Sequence, residues 1–182
     1  MIENIYKLAI PLIKKFEGFE SSPYYCSAMK LTIGYGERVD LRPNKKYGNI
    51  YGCQLTQACN DILAKVGGNA KKANLLIAKQ YPNLITEQEA SAFLIEVLRN
   101  DYWGQIGKDL PHGLNDKQIA AIISLAYNIG VANFKASTMF KLLQAGKIDK
   151  AGLEFKKWVF AGGKKLKGLE NRRKDEQDLY FS

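Results

Sequence analysis

Strand-like sequence is confined to the first third of the chain, and everything after Gln54 has helical character. The segment Leu31–Gly36 is short, β-branched and punctuated by glycine, which is typical of a strand that runs into a turn. Residues 37–54 are polar and rich in Gly and Tyr without a helical period, which indicates a hairpin or loop. This separation predicts an α+β fold with a small N-terminal β lobe and a larger helical lobe.

Apolar residues at helical spacing predict an amphipathic helix near the N-terminus, ending at Gly18 with Glu17 in its last turn. Ser21–Pro23 then indicates a loop. The helix that starts at Asn115 or Asp116 is apolar on all sides, which predicts a place in the centre of the core. We expect two further helices at Thr56–Val66 and Asn69–Gln80, and one that starts at a capping box formed by Thr86 and Glu89. The last helices are expected at Ser137–Gln144, Ile148–Trp158 and Asn171–Leu179.

The length of 182 residues is that of one domain with two lobes. We expect a β-containing lobe over about 17–55 and inserted or connecting helices over 56–84. The helical lobe is expected to combine residues 85–182 with an N-terminal helix over 3–16. Repeats within the chain are absent from the sequence.

The charge and the reactive side chains limit the chemistry. Lys and Arg number 27 against 18 Asp and Glu, giving a net charge of +9. A single histidine, His112, excludes a zinc site built from several histidines, and we expect no metal and no cofactor. Three cysteines argue against a secreted disulfide framework, and for Cys53 and Cys59 reduced thiols are favoured over a bridge formed after export.

The N-terminal segment lacks the basic start and the uninterrupted apolar core of a signal peptide. The longest later apolar run, residues 119–131, is shorter than the roughly 20 residues that a membrane span requires. We therefore expect a soluble protein made in the cytoplasm, with no stable membrane insertion.

Glu17 is the candidate acid of the sequence. It follows Phe16, precedes Phe19 and closes a helix. Apolar neighbours and the negative end of the helix dipole both favour a protonated carboxyl, which a general acid requires. An isolated Glu would more often be a surface residue that closes a helix, so the neighbouring motif decides between the two interpretations.

Eight residues separate Glu17 from Cys26, and five separate Cys26 from Thr32. With the flanking blocks Ile13–Gly18 and Thr32–Gly36, this spacing resembles the phage-type lysozyme (endolysin) family, glycoside hydrolase family 24. Its catalytic triplet is Glu, then Asp or sometimes Cys, then Thr. The resemblance covers about residues 8–36 and 84–181, whereas 37–83 match poorly and exceed the usual family connection.

The resemblance implies a lysozyme-like fold with the active-site cleft between the lobes. It also implies a muramidase that cleaves the β-1,4 bond between N-acetylmuramic acid and N-acetylglucosamine, as a phage endolysin for host cell lysis. Glu17 would protonate the glycosidic oxygen, and Thr32 would position a water or a sugar hydroxyl. Supporting or substrate-binding roles would fall to Tyr24, Gly36, Asn128 and Arg172, with Arg172 or the adjacent Arg173 pairing with Glu17.

The role of Cys26 stays open at this point. An unperturbed thiol is largely protonated at pH 7, so it does not simply inherit the part of a carboxylate. Lowered in pKa by nearby Lys or Arg, it would be a nucleophile or base. Otherwise it is a small polar group beside a bound water, or a buried small hydrophobe.

The basic charge of the chain and its function are each open to more than one interpretation. Residues 156–173 carry seven basic residues against Glu170 alone, which fits either nucleic acid or the polyanionic cell wall. No nucleic-acid-binding motif accompanies them, so we expect peptidoglycan and not nucleic acid as the partner. The family resemblance implies a holin for release if the protein is an endolysin, and we expect a monomer. The alternatives are a catalytically weak wall-binding protein, a delivered antibacterial effector, a lytic transglycosylase and a Cys26/His112 peptidase.

Overall fold

The computed structural model describes residues 2–182, so Met1 of the predicted domain lies outside the described residues. The chain divides into two compact units. The sheet unit comprises Glu17–Leu94, and the helical unit comprises the residues up to Phe16 together with Ile95–Ser182. Helices dominate and the strands are short, which confirms the predicted α+β class.

The strands of the sheet unit form an antiparallel sheet and a hairpin. The sheet has the order β1 (Glu20–Tyr25), β2 (Leu31–Gly34), β3 (Glu37–Arg38), and the hairpin joins β4 (Lys46–Tyr47) to β5 (Ile50–Tyr51). The predicted loop at Ser21–Pro23 is wrong, because β1 runs through it. Pairing between β1 and β2 is irregular between Glu20 and Tyr24, and such an irregularity tolerates Pro23, which has no N–H to donate.

Helices α2 (Gly52–Lys65), α3 (Ala70–Gln80) and α4 (Glu87–Val97) follow the hairpin. The predicted start of α2 at Thr56 is wrong, because the helix begins at Gly52. A Cβ at Gly52 would lie 2.2 Å from the Arg42 carbonyl oxygen, so a side chain does not fit there. The capping box before α4 is confirmed: Thr86 N–H donates to Glu89 Oε2 at 2.7 Å, and Glu89 N–H donates to Thr86 Oγ1 at 3.2 Å.

The helical unit is built around one buried helix. Its elements are α1 (Ile2–Glu17, whose last residue belongs to the sheet unit), a π-helical turn (Leu98–Trp103), α5 (Gly104–Ile106), α6 (Asp116–Ile129), α7 (Val131–Ala136), α8 (Thr138–Gln144), α9 (Ile148–Gly152), β6 (Phe160–Ala161), β7 (Lys164–Lys165) and α10 (Lys167–Phe181). Helix α6 is buried from Ile119 to Ala126 and packs against α10, which confirms its predicted central place. Among residues 2–182, no helix has the length and apolar character that crossing a membrane requires.

The last third of the chain differs from the predicted pattern in two ways. Strands β6 and β7 form a hairpin, so strand structure is not confined to the first third. Its turn is Gly162-Gly163, with φ of 57° and 75°, the left-handed conformation that two-residue hairpin turns require. Helix α9 stops at Gly152, short of the predicted Trp158, and α10 begins at Lys167, before the predicted Asn171.

Candidate active site

Glu17 is the last residue of α1 and is half-buried. The helix ends there because Gly18 has a φ of 73°, and β1 begins two residues later. The aromatic residues on either side of Glu17 are engaged elsewhere. Phe19 stacks against Tyr35 with ring centroids 5.7 Å apart, and the Phe16 ring lies 5.7 Å from the Arg172 guanidinium within the helical unit.

Cys26 opens the turn between β1 and β2. Its N–H donates to the Lys30 carbonyl at 3.0 Å, and its carbonyl accepts from Met29 N–H at 2.9 Å. Met29 has a φ of 56°, which a non-glycine residue adopts only at some energetic cost. The turn therefore holds the Cys26 side chain, half-buried, beside the start of β2.

Hydrogen bonds favour the thiolate form of Cys26. Burial on its own would raise the pKa of this thiol, but hydrogen bonds from the backbone of Lys30 and Ala28 and from the Thr32 hydroxyl lower its pKa overall. The sequence left open whether nearby Lys or Arg would lower this pKa. In the structure, the groups that lower it are the backbone of Lys30 and Ala28 and the hydroxyl of Thr32. The Thr32 hydroxyl also donates to the Lys30 carbonyl at 2.9 Å, and its one proton serves one acceptor at a time.

Thr32 lies between two other side chains across the three-stranded sheet. Its register partner on β1 is Tyr24, and its partner on β3 is Arg38. Directly opposed residues project from the same face of a sheet, so these three side chains form one row. Gly36, with a φ of 97°, makes the turn between β2 and β3 that sets this register.

Tyr24 connects the row to Glu17 and Cys26. Its pKa is raised first by burial and then by the negative charges of Cys26, Glu20 and Glu17. The carboxyl of Glu17 and the thiol of Cys26 are therefore both within electrostatic range of the Tyr24 hydroxyl. The structure therefore brings Glu17, Tyr24, Cys26 and Thr32 together within the sheet unit.

Arg38 is a member of this group that the sequence does not reveal. Its Nε donates to Asp40 Oδ1 at 2.6 Å. The pKa of the guanidinium is raised first by this bond to Asp40 and, to a smaller extent, by the charge of Cys26. An arginine in a two-residue strand carries no periodic signal, and only the β2–β3 register places it beside Thr32. Its positive charge complements a thiolate at Cys26.

The side chain of Asn74, on α3, pairs with the outer edge of β1 directly before Cys26. Tyr25 N–H donates to Asn74 Oδ1 at 2.7 Å, and Asn74 Nδ2 donates to the Tyr25 carbonyl at 3.0 Å. The Tyr25 hydroxyl donates to Asn60 Oδ1, on α2, at 2.6 Å. Both helices lie after the β4–β5 hairpin in the chain, and they hold the strand that carries Tyr24 and Cys26.

The predicted supporting residues of the helical unit surround the buried Glu176. Arg172 Nε lies 3.1 Å from Glu176 Oε1, Arg173 Nε lies 2.8 Å from Glu176 Oε2, and Ser124 donates to Glu176 Oε1 at 2.7 Å. Burial raises the pKa of Glu176, and the two guanidinium groups and Ser124 oppose that rise. Arg173 also donates to Asn128 Oδ1 at 3.2 Å.

The cluster around Glu176 separates the basic residues of the C-terminal segment into buried and exposed ones. Arg172 and Arg173 are counterions of Glu176 and are buried, so they do not contribute to an exposed basic surface. The lysines of the C-terminal segment (Lys156, Lys157, Lys164, Lys165 and Lys167) are exposed.

His112 lies in an exposed turn, and all three cysteines are free thiols.

Similar proteins are found for nearly the whole chain. The phage lysozyme family model matches residues 14–176. The endolysin of Bacillus phage B103 is 29% identical over 182 residues, which cover 98% of this chain and 54% of that protein. The endolysin of Acyrthosiphon pisum secondary endosymbiont phage 1 is 29% identical over 183 residues, which cover 98% of this chain and 99% of that protein. The chain thus spans about half the length of the Bacillus phage protein and almost all of the other.

A solved structure is similar to this chain in its fold. The crystal structure of a P22 lysozyme mutant is 26% identical to this chain and superposes with a TM-score of 0.67. The match covers 96% of this chain and 95% of that chain, so the similarity extends over both compact units.

The contact between Asn74 and Tyr25 predicts a measurable stability difference. Asn74→Ala leaves the Tyr25 N–H and carbonyl without their partners, and we expect a loss of about 1–3 kcal/mol in the free energy of unfolding, measured by urea denaturation. Asn171→Ala, an exposed asparagine on α10, is the control and should change stability by less than about 0.5 kcal/mol. Equal losses in the two variants would contradict the assignment.

The lowered pKa of Cys26 predicts its alkylation behaviour. In a Cys53→Ser background, the pH midpoint of iodoacetamide alkylation should lie below that of free cysteine, because only the thiolate reacts. Cys59 does not interfere, since burial raises its pKa to about 12. Thr32→Val removes a hydrogen bond to the thiolate and should move the midpoint to higher pH, whereas Thr32→Ser should not. A midpoint at or above that of free cysteine would refute this account of the site.

Proposed function

The chain belongs to the phage lysozyme family, and on that premise we propose that it is a muramidase that hydrolyses bacterial peptidoglycan. The cleaved bond is the β-1,4 linkage between N-acetylmuramic acid and N-acetylglucosamine. The observation that carries the proposal is the grouping of Glu17, Cys26 and Thr32 around Tyr24 in one compact unit. Three side chains of these types at this spacing match the family's catalytic triplet.

Each residue takes a role that its surroundings support. Glu17, at the end of α1, donates its proton to the glycosidic oxygen as the bond breaks, and positive charge develops at the anomeric carbon. Thr32, fixed in the middle of the sheet row, holds the water that adds to that carbon. The proton that this water loses passes to solvent, and solvent reprotonates Glu17 for the next cycle. Tyr24 borders the same site and contacts the sugar.

Cys26 acts in this mechanism as a thiolate. Its hydrogen bonds to the Lys30 and Ala28 backbone and to Thr32 favour the negative form, and Arg38 lies close by. A fixed negative charge next to a developing positive charge stabilises the transition state, which is the part that the family's usual Asp plays. This argues against the alternative in which Cys in place of Asp leaves only a wall-binding protein.

The helical unit contributes support in this proposal. Arg172 is held by Glu176 and by the Ser124 carbonyl, and it lies over the ring of Phe16, the residue before Glu17. We assign it a supporting role, in which its guanidinium holds the ring of Phe16, the residue that leads into Glu17. Asn128, bound by Arg173, lies at the end of α6 and supports substrate binding.

The biological role follows the relatives named endolysin. The protein is proposed to act as a monomer, to be made in the cytoplasm of the infected bacterium and to reach the wall through a holin. No observation on the molecule favours delivery as an effector.

The Glu17 carboxyl provides the direct test. Glu17→Gln keeps the shape of the side chain but removes the acid, so lysis of purified walls should fall at least about 100-fold while co-sedimentation with walls persists. The matched control is Asp61→Asn, because Asp61 is an exposed acid on α2 in the same unit and has no assigned role at the site; its activity should stay close to wild type. Unchanged lysis by Glu17→Gln would overturn the muramidase assignment.

A further inference from the structure

A concave site in the helical unit is lined by none of the residues assigned to bond cleavage (Glu17, Cys26 and Thr32). It is a cavity of about 350 Å³ between the base of the β6–β7 hairpin and one face of α10. The hairpin side is formed by Val159 and Lys165, and Leu166 N–H donates to the Val159 carbonyl at 2.9 Å, which closes the hairpin base. The size falls at the lower end of small-ligand sites.

The lining of this cavity is strongly basic. Lys156, Lys165, Arg173 and Lys174 contribute four positive charges, and Glu170 contributes one negative charge. The residues that come from α10 are spaced by three and four positions, so they lie along one face of the helix (Glu170, Arg173, Lys174, Gln177). A net excess of positive charge in so small a volume repels itself unless an anion occupies the site.

The protein's own carboxylates offset this charge only in part. The buried Glu176 carboxylate is shared by Arg173 and Arg172. Glu170 is shared between Lys165, at 2.5 Å, and Lys167, at 3.5 Å, and these lysines lower its pKa through a hydrogen bond from Lys165 and their charges. Lys174 pairs with Asp178, an exposed residue outside the cavity. Within residues 2–182, Lys156 has no carboxylate within salt-bridge distance, whereas its neighbour Lys157 pairs with Glu154 at 2.7 Å.

Arg173 gives the cavity a rigid wall. Its guanidinium is 1% exposed and is fixed by Glu176 and Asn128, so it does not rearrange freely as the lysines do. Gln177 is held in the same way, because its Nε2 donates to the Gly152 carbonyl at 2.7 Å. A fixed floor with mobile ammonium groups at the rim suits an anionic group that is part of a longer, solvated polymer.

We propose that this cavity binds the phosphate groups of a phosphodiester polymer attached to the bacterial wall, and so holds the enzyme on its substrate. The proposal rests on the proposed function, because it concerns the same wall. A phosphodiester carries one negative charge per repeat, with oxygens open on several sides. Lysine ammonium groups bind such oxygens as point charges without demanding one geometry. The exposed Lys164 and Lys167 flank the cavity in sequence and extend the path of positive charge for neighbouring repeats.

The test measures binding without cleavage. The full chain carrying Glu17→Gln is sedimented with purified walls before and after chemical removal of the phosphodiester polymer, and soluble poly(glycerol phosphate) is used as competitor. We expect binding to fall at least about ten-fold when the polymer is removed, and the competitor to release the protein from untreated walls. Binding should also weaken as salt is raised.

Matched variants separate the cavity from general charge. Lys156→Gln with Lys165→Gln removes two charges at the cavity, and Lys71→Gln with Lys72→Gln removes two exposed charges from α3 in the sheet unit. Because both lysines lie at the cavity, the first pair should weaken binding by roughly ten-fold or more. The second pair should change binding less than about two-fold.

Three results would overturn the proposal: equal effects of the two double variants, unchanged binding to stripped walls, or competition by a DNA oligonucleotide as strong as that by poly(glycerol phosphate). The last would assign the cavity to nucleic acid. The proposed function is tested separately with stripped walls. The wild-type chain should digest them and Glu17→Gln should not.

Discussion

The candidate site depends on one pair of hydrogen bonds between a side chain and a strand. Asn74 takes the place of a neighbouring strand at the edge of β1, where it satisfies both the N–H and the carbonyl of Tyr25. Cys26 is the next residue, and Tyr24 the previous one. Because the direction of both side chains follows from the path of this backbone, a helix residue far away in sequence fixes their position relative to Thr32. Without Asn74, the turn from Cys26 to Lys30 would be held only by its own hydrogen bonds and by the pairing of β1 with β2.

A second interaction has the corresponding role in the helical unit. Glu176 is fully buried between two arginines, and the group is completed by the Ser124 hydroxyl and the Ser124 carbonyl. Removing one member of such a cluster leaves an uncompensated buried charge, which is far more costly than loss of a surface ion pair. The cluster therefore fixes Arg172 and Arg173 on α10, and through Arg173 it also fixes one wall of the basic cavity.

The sequence predicted much of the helical structure because helical periods and caps are local signals. The capping box at Thr86 and the start of α6 after Asn115 are found as expected, and the apolar run of α6 is buried. The errors occur where distant contacts decide. Helix α2 begins at Gly52, where the Arg42 carbonyl leaves no room for a side chain and the Gly52 N–H donates to the Lys45 carbonyl. Strand β1 passes through Pro23, where its pairing with β2 is irregular. Neither partner is visible in a window of neighbouring residues.

The same limit applies to the site. The spacing of Glu17, Cys26 and Thr32 is a feature of the sequence itself, so the grouping was open to prediction. Arg38 and Asn74 were not, since one depends on strand register and the other on the packing of α3 against β1. The basic segment was visible as charge, but only the structure separates its two buried arginines from its exposed lysines.

The central claim is that the chain hydrolyses the glycan strand, and the mass of the released fragments tests it most directly. Purified walls digested in isotopically labelled water should yield fragments with a reducing N-acetylmuramic acid end that carries the label. Fragments that end in an anhydro sugar, one water lighter and without label, would contradict the account and identify a lytic transglycosylase. Fragments cleaved only in the peptide would contradict it as well.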